Sequence, residues 1–181
     1  RARAAGRFTS EITAVAIPQK KGDPKKFEQD EFLRPDSTLE ALARLKPAFR
    51  TDGKGSVTAG NASGLNDGAA TLLIASDQGL KDHSLEPIAR IVSIAVAGVE
   101  PRFMGMGPGP ASRLALERAG LTMKDVDVLE LNEAFAAQVL ACLRELKVDD
   151  DDSRVNPNGG AIALGHPLGM SGARLLLTAA L

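Results

Sequence analysis

Residues 125–146, DVDVLELNEAFAAQVLACLREL, change hydrophobic period without a break. Valine and leucine alternate with acidic residues in DVDVLEL, the period of a half-buried strand. From Glu133 onward the apolar side chains of Phe135, Val139, Cys142, Leu143 and Leu146 fall on one stripe of a helix. A strand that runs straight into a helix needs a sheet on one side and a helix layer on the other. The same alternation recurs along the chain. EITAVAIP (11–18), TLLIAS (71–76) and PIARIVSIAVAG (87–98) read as strands, and PASRLALERAG (110–120) reads as a helix closed by Gly120. The expected fold class is therefore α/β, a layered sheet with helices on its faces.

Between these elements lie polar segments. QKKGDPKKFEQDEFLRPDS is charged and turn-rich, and its lysines 20, 21, 25 and 26 read as a solvated loop. Ser37 is expected to cap a short helix, with Glu40 completing a capping box and Leu39, Leu42 and Leu45 on its buried side up to Pro47. TDGKGSVTAGNASGLNDGAA (51–70) is a loop. DDDDS is an acidic turn, followed by a short strand entry at VNP, a glycine-rich loop and a last helix. The chain opens within RARAAGRF and closes inside GARLLLTAAL, so we expect a segment of a longer protein.

Composition narrows the partners. The 22 basic and 23 acidic side chains are mixed along the chain and leave a net charge of -1, which gives no field for nucleic acid or acidic lipid. The longest apolar runs fall short of the about 20 residues of a membrane span. A small metabolite is the expected ligand. One cysteine excludes an internal disulfide and a cysteine zinc cluster, and fits a cytoplasmic protein.

Glycine-rich loops invite a nucleotide reading, and the spacing rejects it. Gly105, Gly107 and Gly109 are followed by Pro110 where a G-x-G-x-x-G fingerprint needs glycine, and Ala48 stands where a P-loop ending at Gly53-Lys54 needs its first glycine. Pro108 and Pro110 suit a first helical turn instead. Cys142, on an apolar stripe, reads as a packed, inert thiol, and His83 in KDHSL as a helix-terminal histidine.

NPNGGAIALGHPLGMSGAR (156–174) differs from all of these. It surrounds His166 with five glycines and two prolines. No periodic core pattern explains that histidine, proline restricts its backbone, and the glycines permit close approach of a ligand. An imidazole so held can serve as a general base or donate to an oxyanion. Asn132 and Glu133 stand at the junction of strand and helix, where open α/β sheets bind ligands, although an N-cap with a first-turn acid gives the same pattern. His166 and Asn132 are the candidate catalytic pair.

Three blocks, GNASGLNDGAA (60–70), LNEAFAAQ (131–138) and NPNGGAIALGHPLGMSGAR, together resemble the thiolases, which cleave or form 3-ketoacyl-CoA. The last block most resembles the β-ketoadipyl-CoA thiolases of aromatic degradation. The resemblance implies a thiolase-like layered fold with a mixed sheet, incomplete here, in which 1–66 is the end of the coenzyme-A-contacting loop domain and 67–181 the truncated C-terminal domain. It implies acyl transfer through a cysteine thioester, with coenzyme A and acyl-CoA as substrates, neither prosthetic group nor metal, and a homodimer or homotetramer.

His166 would then activate the nucleophile and, with a water held by Asn132, form an oxyanion hole. Phe49, Ala59, Ser63, Ala134 and Phe135 would line the pantetheine channel, and Arg34 would lie near the nucleotide end. Both family cysteines fall outside these residues, Cys142 matches neither, and position 41 is alanine where the family often has serine. The chain alone is therefore expected to be inactive. Two other readings are a non-catalytic acyl-CoA-binding module, and an α/β piece stable only beside further polypeptide.

Overall fold

The computed structural model describes residues 1–181. A hairpin opens the architecture: β1 (Val15–Ile17) pairs antiparallel with β2 (Lys25–Phe27), in the register Val15 to Phe27 and Ile17 to Lys25. Six α-helices follow, α1 (Leu39–Ala43), α2 (Asp77–Asp82), α3 (Pro108–Ala119), α4 (Ala136–Leu146), α5 (Ala161–Leu164) and α6 (Leu168–Ala180), with short 3-10 turns at Pro101–Met106 and Met123–Asp125. No helix is long and apolar enough to cross a membrane.

Several local readings are corrected. The lysine-rich segment is not all loop, because Lys25 and Lys26 lie in β2 and complete the hairpin backbone of β1. Of EITAVAIP only Val15–Ile17 forms a strand. Thr38 caps α1, accepting from the amide of Ala41 at 3.1 Å, while the Ser37 hydroxyl turns back to the carbonyl of Arg34. The helix stops at Ala43, well before Pro47, and its leucine face is not buried: Leu39 is 81% exposed. Five residues offer too short a stripe to cover.

The expected strands at 71–76 and 87–98 acquire no ladder, and DVDVLEL makes a single parallel bridge, Leu129 to Val155. A strand exists only where a second backbone satisfies its amides and carbonyls. The apolar side chains of these segments stay uncovered, with Leu73 81%, Ile94 75% and Val96 90% exposed.

The core lies around α4. Val139, Cys142 and Leu143 are buried on the stripe read from the sequence, and Val148 joins them, with Met123, Leu129, Leu131, Leu146 and Val155 packed against the cluster. Two left-handed residues shape this region. Gly120, at φ 68°, ends α3 as expected, and its amide and that of Leu121 return to the carbonyls of Glu117 and Leu116. Lys147, at φ 60°, ends α4 and swings Val148 back onto Leu143, whose carbonyl accepts the Val148 amide at 2.9 Å. Pro108 sits in the first turn of α3, as its sequence context predicts.

The acidic turn is solvated but also paired. Asp150 meets Arg144 at 2.6 Å, and Asp152 holds Arg154, whose guanidinium donates to the carbonyls of Met123 and Val126 at 3.0 and 2.7 Å. The Arg154 hydrogen bonds pull the Asp152 carboxyl from its ordinary 3.8 down to about 2. Its folded value lies below its unfolded one, so its contribution to stability is present above pH 4 and is lost as the pH falls toward 2.

Cys142 is fully buried, its thiol donating to the carbonyl of Gly105 at 3.3 Å, and burial pushes its pKa up, disfavouring the thiolate. The native thiol should therefore resist a chromogenic disulfide reagent and react stoichiometrically in guanidinium. Rapid labelling of the folded protein would contradict this packing.

Candidate active site

The site is assembled by three chain segments that cross at residues 61–66. On one side the amide of Ser63 donates to the carbonyl of Ala134 at 3.0 Å, its hydroxyl to the same oxygen at 3.3 Å, and the amide of Ala136 to the carbonyl of Asn61 at 2.9 Å. These bonds make an antiparallel bridge between Ala62 and Phe135. On the other side Leu65 bridges His166, whose amide donates to the carbonyl of Gly64 at 3.3 Å and to the Asn66 side chain at 3.1 Å. One short segment thus ties the start of α4 to the histidine loop.

Glycine at 165 is needed for that join. Its φ is 95°, and a methyl group there would sit 2.7 Å from the Asn66 side chain that accepts the His166 amide.

Asn132 and His166 meet, with the amide nitrogen 3.3 Å from Nε2 of the ring. At its other nitrogen, Nδ1, the ring lies 2.6 Å from the hydroxyl of Ser171, which in turn bonds the carbonyl of Pro167 at 3.1 Å. The Asn132 side-chain oxygen is buried without a protein partner. The pair therefore presents an imidazole, an amide donor and an unused acceptor in one half-buried place, a set that can take up a proton and stabilise a developing oxyanion.

Asn132 is not a helix cap, because α4 begins four residues later, at Ala136, with Phe135 in the cap position. Glu133 is not a first-turn acid of α4 either. Its carboxylate accepts from the amide of Ile162 at 3.0 Å, at the start of α5, and from the Asn156 side chain at 2.9 Å. Asn156, at φ 43°, places its side chain against the backbone of Leu131, accepting its amide at 2.8 Å and donating to its carbonyl at 2.9 Å, while the Asn156 amide bonds the carbonyl of Leu129. Residues 131–133 and 156–162 become one hydrogen-bonded body.

Of the remaining predicted residues, Phe49, Ser63, Ala134 and Phe135 come together. The Phe49 and Phe135 rings pack edge to face with centroids 6.1 Å apart, beside the Ser63 to Ala134 bonds. Ala59 is exposed on the turn before this cluster, and Arg34 is exposed, with only its carbonyl hydrogen-bonded, to Ser37. Sequence reasoning missed Asn66, Asn156 and Ser171 and misread Glu133. Each acts through a partner on another segment or through a specific side-chain contact, which neither period nor spacing reveals.

Residues 1–78 match the thiolase N-terminal domain and residues 85–181 the thiolase C-terminal domain. The chain belongs to the thiolase family. It is 60% identical over 179 residues to the 3-oxoadipyl-CoA/3-oxo-5,6-dehydrosuberyl-CoA thiolase of Escherichia coli (strain K12) and 61% identical over 179 residues to the β-ketoadipyl-CoA thiolase of Pseudomonas aeruginosa. Each alignment covers 99% of this chain and 44% of the relative, so this thiolase-family chain spans less than half the length of those proteins.

Among solved structures, the acetyl-CoA acetyltransferase of Bacillus anthracis superposes with a TM-score of 0.85 at 49% identity, covering 99% of this chain and 44% of that one. Human mitochondrial 3-ketoacyl-CoA thiolase superposes with a TM-score of 0.81 at 46% identity, covering 99% and 43%. The thiolase fold and the expected α/β class hold, although the expected mixed sheet is not formed: the one sheet is the antiparallel β1–β2 hairpin, and the other pairings are isolated bridges.

Asn156→Ala tests the body that carries Asn132. It strands the Leu131 amide and carbonyl, and should lower stability by about 2 to 3 kcal/mol in denaturant unfolding. A change within a few tenths would mean that the clamp on Leu131 contributes nothing.

Proposed function

We propose that this chain is the part of a thiolase that holds the histidine and asparagine of its acyl-transfer site, in a protein that cleaves 3-ketoacyl-CoA with coenzyme A or runs the reverse condensation. The observation that carries this reading is the Asn132 to His166 contact, made by side chains 34 residues apart inside two motifs typical of the family. In the forward reaction, His166 takes the proton from a cysteine thiol as the sulfur attacks the C3 keto carbon of the 3-ketoacyl-CoA. The C2–C3 bond breaks, the shortened acyl group remains on sulfur as a thioester, and the departing carbanion takes a proton from a second cysteine and leaves as acetyl-CoA. Coenzyme A then takes the shortened acyl group from the sulfur. The imidazole and a water held by Asn132 stabilise the thioester oxygen as charge develops on it.

Both cysteines of that scheme lie outside these 181 residues. Full burial of Cys142, which also pushes its thiol pKa up and disfavours the thiolate, supports leaving it out of either role. The cluster of Phe49, Ser63, Ala134 and Phe135, next to the catalytic pair, supports a place for the pantetheine arm, and Ala59 and Arg34, both exposed, extend that path toward solvent. We assign residues 1–66 to the coenzyme-A-contacting loop domain and 67–181 to the C-terminal domain. The names of the most similar relatives favour a β-ketoadipyl-CoA substrate in aromatic degradation. The uncovered apolar segments at 71–76 and 87–98 suit a protein whose relatives are more than twice this length, assembled as a homodimer or homotetramer.

In the full-length protein, His166→Ala should slow acyl-enzyme formation by about 10²- to 10⁴-fold. An unchanged burst in rapid quench would remove its role. The 181-residue chain, given acetoacetyl-CoA and coenzyme A, should show no turnover. Turnover would overthrow the division of the site between segments, and coenzyme A binding without turnover by a full-length protein would favour the acyl-CoA-binding module.

A further inference from the structure

Ser171 is buried at 4% exposure in the first turn of α6, five residues beyond His166. Its hydroxyl sits between two oxygen and nitrogen neighbours: the carbonyl of Pro167 at 3.1 Å and His166 Nδ1 at 2.6 Å. A carbonyl can only accept, whereas Nδ1 either donates or accepts according to which ring nitrogen holds the proton.

The far side of the ring decides between these. The Asn132 amide nitrogen, a donor only, lies 3.3 Å from Nε2, so Nε2 must offer its lone pair. Turning the amide over would place its two N–H groups where the buried Asn132 oxygen now finds no protein partner, leaving donors stranded. With Nε2 bare, the proton of the neutral ring is on Nδ1, donates to the Ser171 oxygen, and leaves the hydroxyl proton for the Pro167 carbonyl. Back-bonding of a serine to the carbonyl four residues earlier is ordinary helical behaviour. Each of the three bonds linking Asn132, His166, Ser171 and Pro167 then has one donor and one acceptor, and all point the same way.

We propose that Ser171 is a positioning residue that fixes His166 in the Nδ1-protonated tautomer, so that Nε2, beside Asn132, is the nitrogen that takes the proton of an incoming thiol. The inference rests on the acyl-transfer reading for its rate consequence, and on geometry alone for the tautomer. The Pro167 carbonyl already accepts the amides of Met170 and Ser171 at 2.8 and 2.9 Å, which holds it fixed as the end of the row. The rigid start of α6 therefore sets the orientation of the ring.

The test uses the full-length protein with 15N-labelled histidine, at a pH where the imidazole is neutral, and His166→Asn to assign the ring signals. The expected spectrum has a pyrrole-type Nδ1 and a pyridine-type Nε2. Ser171→Ala should move the ring toward the Nε2-protonated form and slow acyl-enzyme formation roughly 10-fold, less than loss of the base itself. Ser171→Thr, which keeps the hydroxyl, should retain the tautomer and most of the rate.

An Nε2-protonated ring in the unsubstituted protein, or a tautomer indifferent to Ser171→Ala, overturns the proposal. So does a shifted tautomer with an unchanged rate where His166→Ala is inactive. If His166→Ala itself forms acyl-enzyme normally, the acyl-transfer reading fails while the observed tautomer still decides the Ser171 to His166 bond.

Discussion

The side-chain amide of Asn156 does for Leu131 what a neighbouring strand would do, accepting its N–H and donating to its carbonyl from a buried position at positive φ. Much else depends on that pairing. Leu131, Asn132 and Glu133 are consecutive, so fixing Leu131 on one side and Glu133 on the other leaves Asn132 little freedom. Glu133 passes the constraint on through the Asn156 side-chain amide and the backbone amide of Ile162 in α5. Asparagine tolerates the left-handed region better than other side chains and carries both a donor and an acceptor, which makes it suited to this position.

The histidine has its own anchors. Its backbone is held by Gly64 and Asn66 and its ring by Ser171, and the 61–66 segment that bonds it also bonds Ala134 and Ala136, so Asn132 and His166 make their 3.3 Å contact within one tied framework. That arrangement suits acyl transfer, in which a displacement of about 1 Å can cost on the order of 10²-fold in rate. The well-packed region around α4 contrasts with the open apolar segments at 71–76 and 87–98. The buried cluster reaches Leu131, next to Asn132 of the proposed catalytic pair.

The sequence was informative where the cause of structure is local. The buried Val139, Cys142 and Leu143 of the α4 stripe, the Gly120 stop and the Pro108 start needed only neighbours in the chain and appear as read, whereas Phe135, read on the same stripe, stands in the cap position with an exposed ring. Strand formation at TLLIAS and PIARIVSIAVAG depends on a partner backbone, and alternation of side chains reports only a capacity to pair. β2 was hidden for the opposite reason, since lysines on an exposed hairpin look like a loop. At the site, His166 and Asn132 stood out because glycines and a strand-to-helix switch mark them locally. Glu133, Asn156 and Asn66 owe their roles to contacts across 23 to 100 residues, and Ser171 to one rotamer on a helix.

The central claim is that this chain supplies the base and the oxyanion groups for a sulfur located elsewhere in the polypeptide. Trapping the full-length protein with acetyl-CoA and mapping the adduct by peptide mass spectrometry tests it directly. The acetyl group should reside on a cysteine outside residues 1–181, at a level that falls in both His166→Ala and Asn132→Ala. Acetyl on Cys142, or labelling indifferent to both substitutions, would contradict it.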